Sequence, residues 1–186
     1  MATDRTAVIG FPVDHSLSPI IHNHWIKELG LDTKPYEKIN VDPNKFEEQI
    51  NNLKAEGYGG LNVTVPLKEL AFNISDETSH VSKKLRSANT LTLSPDKINA
   101  DNTDAVGFIN SLDKKTIEEN ITNKKTLVLG AGGSARSVVH ALSELGSQVR
   151  LFNRTPEKGQ ILLDDFCLLY TSDAADEGLG VDLGGR

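Results

Sequence analysis

Residues 126 to 152 read as strand, glycine turn, helix and strand in unbroken succession, and few folds accommodate that order. Thr126-Leu127-Val128-Leu129 is a short apolar run of the buried-strand type. Gly130-Ala131-Gly132-Gly133-Ser134-Ala135 follows at once and matches the G-x-G-x-x-G/A spacing, with Ala135 in the last small position. Val138, Val139, Leu142 and Leu145 then recur at helical spacing, Gly146 supplies a stop, and Gln148 to Phe152 makes a second strand. Such a unit packs as a right-handed crossover between parallel strands. Small residues at its turn let backbone N–H groups approach an anion, and the helix N-terminus adds positive partial charge. A glycine turn with no ligand is the competing reading; the complete context around the turn favours a phosphate site.

The residues after the second strand bear on the nucleotide. NAD enzymes place a carboxylate there to accept a hydrogen bond from the ribose hydroxyl. This chain has Asn153-Arg154-Thr155, with Lys158 a helical turn later. A carboxylate would repel a 2′-phosphate, whereas Arg154 can grip it with two parallel hydrogen bonds. NADP is the expected cofactor.

The first half repeats the strand-to-helix order. Ala7-Val8-Ile9 is a buried strand ended by Gly10 and Pro12, and the loop Val13 to Ser18 leads to Pro19, with Ser18 placed as an N-cap. Ile21, Trp25 and Leu29 mark a helix closed by Gly30. Tyr36 to Val41 is a second strand; Asp42-Pro43 repeats the cap-and-proline device, and Phe46, Ile50 and Leu53 form the buried stripe of a second helix. In Gly60 to Val65, Leu61, Val63 and Val65 alternate with Asn62 and Thr64; Pro66 closes the strand and Lys68 falls on the next turn. In open α/β sheets ligands bind at that strand edge, so a polar strand face beside a lysine reads as an active site or as a half-solvated surface. A helix through Leu70 and Phe72 is followed by a polar connection from Ser75 to Ser82. Ala88 to Leu93 and the strand from Ile98, joined at Ser94-Pro95-Asp96-Lys97, form a hairpin expected at the sheet edge. The polar run Ala100-Asp101-Asn102-Thr103-Asp104 precedes Val106, Phe108, Ile109 and Leu112, so Asp104 suits a helix cap and a catalytic carboxylate equally. Ser16 and Ser18 likewise have a bland reading as loop and cap residues.

Composition narrows the class. With 186 residues, 25% charged side chains and a net charge of -6, the chain has no basic patch that suggests nucleic acid. One cysteine excludes an internal disulfide, and no Cys/His cluster has metal-ligand spacing. His15, His22 and His24 read as surface or helix-packing residues. Met1 to Arg5 shows no signal peptide and no apolar run is of membrane-spanning length, so a cytoplasmic protein without a membrane partner is expected.

Six runs, in order, resemble shikimate dehydrogenase. They are Ile9 to Pro19 with His22-Asn23, Asn62 to Lys68, Ala88 to Leu91, Asp101 to Asp104, Gly130 to Gly133, and Asn153 to Thr155. The resemblance covers residues 6 to about 158. It implies an N-terminal α/β substrate domain with a mostly parallel sheet, residues 1–123, and an incomplete Rossmann-type NADP-binding domain, residues 124–166. Ser16 and Ser18 would hold a substrate carboxylate, and Thr64, Asn89 and Asp104 would bind ring hydroxyls. Lys68 would be catalytic, paired with Asp104. Gly130, Ala131, Gly132, Gly133 and Ser134 would cradle the pyrophosphate, while Asn153, Arg154, Thr155 and Lys158 would recognise the 2′-phosphate. The implied reaction is the reversible NADPH-dependent reduction of 3-dehydroshikimate to shikimate, on the way to chorismate and aromatic amino acids, by a monomer or homodimer without a metal.

Ser87 and Ala100 stand where glycines are common in the family. Residues 167–186 continue no family pattern and read as a non-native tail, and about the last third of a family member has no counterpart. Alternatives are a quinate/shikimate dehydrogenase and a catalytically silent substrate-binding fragment.

Overall fold

Alternating strands and helices build a six-stranded sheet in the first half of a computed structural model, which describes residues 5–166. The strands are β1 (Arg5–Gly10), β2 (Glu37–Asn40), β3 (Tyr58–Val63), β4 (Glu77–Thr78), β5 (Thr90–Leu93) and β6 (Ile98–Asp101), arranged β2-β1-β3-β5-β6-β4. β1 pairs in parallel with β2 and β3, and β4 with β6; β5 alone runs antiparallel to its neighbours. The sheet is therefore mostly parallel, as expected from the strand-helix alternation.

One face carries the main core. Ala7, Ile9, Leu61, Val63, Leu91, Leu93 and Ala100 line it with period-two spacing. Phe46, Ile50 and Leu53 of α2 (Phe46–Ala55), with Leu67 and Ala71 at α3 (Lys68–Asn73), pack on them. A 3₁₀ turn, Pro43–Lys45, leads into α2, and Asp42 caps it by accepting the Asn44 amide at 2.9 Å. On the other face Val8, Val13 and Tyr36 form a small cluster beside α1 (Ser18–Glu28).

Several local expectations change. α1 buries no residue: Ile21, Trp25 and, just past its end, Leu29 are 46, 53 and 70% exposed, because Ile26 is the apolar side chain of this helix that packs against the Val8 cluster. Ser18 is the first residue of α1 and makes no side-chain cap; its own amide donates to Ser16 Oγ at 3.3 Å. β3 stops at Val63, so Val65 leaves the alternation and is exposed, and α3 begins at Lys68, two residues after Pro66. The polar connection from Ser75 to Ser82 contains β4 and the start of α4 (His80–Leu85), which Ser79 caps through the Ser82 amide. β4 occupies the sheet edge, so the β5-β6 hairpin is internal. A strand of two residues has no periodicity to reveal it.

The chain divides into two compact units, residues 1–107 and 108–186, and α5 (Asp104–Asn110) spans the division. The second unit starts ahead of Lys124 because Phe108, Leu112 and Ile121 pack with Val139, Leu142 and Val149. It contains α6 (Lys114–Thr116), a π-helical turn (Ile117–Ile121), β7 (Lys125–Leu129), α7 (Ala135–Glu144), β8 (Gln148–Phe152) and α8 (Pro156–Asp165). β7 and β8 are parallel. Leu127 and Leu129 remain 62 and 74% exposed, so β7 buries one face instead of two among the described residues. The expected tail, residues 167–186, lies outside the described residues.

Candidate active site

The polar residues of the first unit converge because of how its strands run. β1, β3 and β6 all end at one edge, and the reversed β5 begins there. Backbone bonds lock the neighbouring loops: Thr64 N to Ile9 O at 2.9 Å, Phe11 N to Val65 O at 3.2 Å, Val63 N to Asn89 O at 2.7 Å and Asn89 N to Asp101 O at 3.0 Å. The peptides before Pro12 and Pro66 are both cis.

Lys68 opens α3 directly after the turn closed by Leu67 N to Thr64 O, 2.9 Å. Its Nζ donates to Asp104 Oδ2 at 2.6 Å, with the two side chains only 15 and 28% exposed. Asn89 Nδ2 donates to Asp104 Oδ1 at 2.8 Å, so each carboxylate oxygen has its own donor. Asn89 Oδ1 in turn accepts the Thr103 amide at 3.1 Å and Thr90 Oγ1 at 3.0 Å. The carboxylate of Asp104 thus faces Lys68, while Asn102 Oδ1 accepts the Asp104 amide at 3.0 Å and closes the turn that leads into α5. Partial burial strengthens a charged pair relative to one in open solvent. The arrangement presents a fixed cation next to amide and hydroxyl groups, which suits a polar substrate whose reacting oxygen gains negative charge.

Thr64 stands at the end of β3 with its methyl against the start of the β1–α1 loop: a Cβ built on Gly10 would lie 2.6 Å from Thr64 Cγ2 and 3.2 Å from Val13 Cβ. The loop beyond carries half-buried Ser16 and Ser18. Asn40 clamps that loop, accepting Val13 N at 2.8 Å and donating to Asp14 Oδ1 at 3.0 Å. Tyr36, whose phenol is pushed above its ordinary pKa by burial, donates to Asn62 Oδ1 at 2.7 Å under a stacked His22. Asn23 braces Tyr36 by bonding its backbone N–H and C=O. His15 and His24 are exposed, and among the described residues no group of three His, Cys, Asp or Glu could hold a metal. Sequence reasoning did not single out Asn40, Asn102 or Tyr36 as site residues. An amide two residues ahead of a helix was the available signal at Asn102, but its three polar neighbours Asp101, Thr103 and Asp104 blur it.

Gly130 has φ +102°, which disfavours any residue with a Cβ, and a Cβ on Gly132 would meet nothing within 4 Å. Gly130 N donates to Phe152 O at 2.7 Å, Ala131 N to Asn153 Oδ1 at 3.1 Å and Ala135 N to Gly132 O at 2.9 Å. Asn153 also donates to Thr155 O at 2.7 Å, so its amide ties the glycine turn to the loop after β8. Gly133, Ser134, Arg154 and Thr155 are exposed, and the Lys158 side chain lies outside the described residues.

Residues 8–91 match the model of the shikimate dehydrogenase substrate binding domain. The NADP(+) shikimate dehydrogenases of Methylocella silvestris and Methanococcoides burtonii are each 40% identical to the chain, over 165 and 178 residues. Over these residues the chain is similar to NADP(+) shikimate dehydrogenases. The matches take in 89 and 93% of this chain but 59 and 63% of those relatives, so the chain spans about three fifths of their length. Among solved structures, the shikimate dehydrogenase of Aquifex aeolicus superposes with a TM-score of 0.82 at 38% identity, covering 91% of this chain and 62% of that one. The Thermus thermophilus enzyme, solved in complex with NADP(H) and shikimate, gives 0.77 at 34% identity over 90 and 62%. Among the described residues no helix is long and apolar enough to cross a membrane.

Proposed function

We propose that this chain carries the substrate domain and the opening of the nucleotide domain of an NADP-dependent shikimate dehydrogenase, a cytoplasmic enzyme of aromatic amino acid biosynthesis acting without a metal. By motif the division is 1–123 for substrate and 124–166 for the partial nucleotide domain, with Phe108, Leu112 and Ile121 of the first stretch packing in the second compact unit. The observation that carries the reading is the Lys68–Asp104–Asn89 cluster, with contacts of 2.6 and 2.8 Å, at the strand edge of the family-matched domain.

Ser16 and Ser18 would bind the substrate carboxylate, and Thr64, Asn89 and Asp104 the ring hydroxyls. Lys68 Nζ would meet the ketone oxygen as negative charge develops there, and Asp104 would hold the ammonium in place. The residues of the second unit fit a dinucleotide phosphate. A positive-φ glycine, an open Cβ position at Gly132 and the N-terminus of a 10-residue helix favour an anion close to backbone N–H groups. Gly130 to Ser134 would cradle the pyrophosphate, and exposed Arg154, with Asn153, Thr155 and Lys158 nearby in sequence, would take the 2′-phosphate. NADPH, when bound, supplies the hydride.

Titration calorimetry of the chain with shikimate should show one saturable site. In a form extended by a family-length C-terminal part, Lys68→Ala should abolish most NADPH oxidation with 3-dehydroshikimate and change substrate binding little. An unchanged rate would remove Lys68 from the mechanism, and an absence of shikimate binding would remove the substrate.

A further inference from the structure

Asn102 is 2% exposed and lies between β6 and α5, outside the residues that would touch substrate. Its side chain uses both halves of its amide. Oδ1 accepts the Asp104 amide at 3.0 Å, and Nδ2 donates to the Ser87 carbonyl at 3.0 Å. The residue after Ser87 is tied to the lysine, because Ala88 N donates to Lys68 O at 2.9 Å. Lys68 Nζ then returns to Asp104 Oδ2 at 2.6 Å. These four bonds close a ring that runs from Lys68 through the Ser87-Ala88 backbone and the Asn102 amide to Asp104 and back.

We propose that Asn102 is a positioning residue that fixes the separation and direction of the Lys68–Asp104 pair, a role that rests on the reading of this pair as the reacting centre. Only a short side chain with one donor and one acceptor closes the ring. Aspartate keeps the acceptor for the Asp104 amide but cannot donate to Ser87 O; leucine does neither. A buried amide that loses its partners is costly, so the backbone on either side must shift to find others. Asp104 moves with that backbone, and Asn89, bonded to both Asp101 O and Asp104 Oδ1, moves with it.

A merely structural turn residue makes a different prediction, and Ser82 separates the two. Ser82 is fully buried and its Oγ donates to the same Ser87 carbonyl at 2.9 Å, but it lies off the ring. The test uses the ¹⁵N-labelled 186-residue chain, with the Lys68 ammonium resonance identified by its disappearance in Lys68→Arg. Asn102→Asp and Asn102→Leu should shift or erase that resonance as strongly as Asp104→Asn does. They should also weaken shikimate binding by roughly tenfold, the size of one lost well-placed hydrogen bond. Ser82→Ala should lower the urea midpoint while leaving the resonance in place and the shikimate affinity within about twofold. A folded Asn102→Asp chain with an unmoved Lys68 resonance overturns the proposal, as does a Ser82→Ala resonance that moves equally far. Asn102→Asp is the deciding variant if Asn102→Leu does not fold. If the unmodified chain binds no shikimate, the functional reading fails, while the ammonium resonance still reports whether Asn102 sets the pair.

Discussion

Gly10→Ala is the sharpest mechanical test of how the β1–α1 loop and the β3–α3 loop share space. The added methyl would sit 2.6 Å from Thr64 Cγ2 and 3.2 and 3.3 Å from Val13 Cβ and Cγ2. Carbon atoms prefer roughly 3.5–4.0 Å, so Thr64 must retreat by about 1 Å. Gly10 itself has little room to yield: its carbonyl accepts Val41 N at 3.0 Å, and the residue is in register with Asn40 of β2. Overpacking of this kind costs about 1–3 kcal/mol of stability. A displaced Thr64 hydroxyl should also weaken shikimate binding by about 2–10-fold, as one neutral hydrogen bond is worth roughly 0.5–1.5 kcal/mol. Urea unfolding and calorimetry read the two effects separately. The decisive variant is Gly10→Ala combined with Thr64→Ser, which removes the clashing Cγ2 and retains the hydroxyl. It should recover most of the stability and the affinity, giving a coupling energy of about 1 kcal/mol or more. If the double variant is no better than Gly10→Ala alone, the clash with Thr64 is not the cause.

Three further outcomes are expected. Ile50 is fully buried in the main core, so Ile50→Ala should cost about 2–5 kcal/mol in urea unfolding, and a loss below about 1 kcal/mol would contradict the packing. The Tyr58 phenol is pushed up to about 12, first by desolvation and then by its hydrogen bond to Glu37, so it favours the folded state while protonated. That stability is present below the ordinary tyrosine value of about 10 and is lost as pH rises toward 12. Thermal unfolding across that range should show a steeper fall than in Tyr58→Phe, with Tyr36, raised in the same direction, retaining its own share. Finally, Arg154→Ala should weaken NADP binding by roughly tenfold and leave NAD binding unchanged, read by fluorescence titration; equal losses for both nucleotides would reject a 2′-phosphate contact.

The sequence made the long elements visible because their signals are local. A short apolar run announced β1 and alternation β3 and β5; apolar recurrence announced α2 and α7; and the glycine turn announced the β7–α7 junction, all of which stand in the structure. Lys68, Asn89 and Asp104, picked from separate motifs, meet within 2.8 Å. What escaped reading depends on partners distant in the chain. Two-residue β4 exists only because Glu77 and Thr78 pair with Asn99 and Ala100 of β6. Trp25 sits at perfect helical spacing and is still half-exposed, because periodicity reports a face and not what covers it. The bonds of Asn40 and Asn102 go to backbone groups 27 and 15 residues away, which no local pattern reports.

The reversed direction of β5 has a practical side for anyone wishing to instrument this domain. Because β5 starts where β3 ends, the tight turn that joins it to β6, Ser94 to Lys97, is sent to the far edge of the sheet. Pro95, Asp96 and Lys97 are exposed there, a strand's length away from Lys68, Asn89 and Asp104. Exposed turn tips of this kind accept insertions readily. A fluorophore, an affinity handle or a tether placed between Pro95 and Asp96 could therefore report on the folding of β5 and β6 without crowding the groups that would hold the substrate.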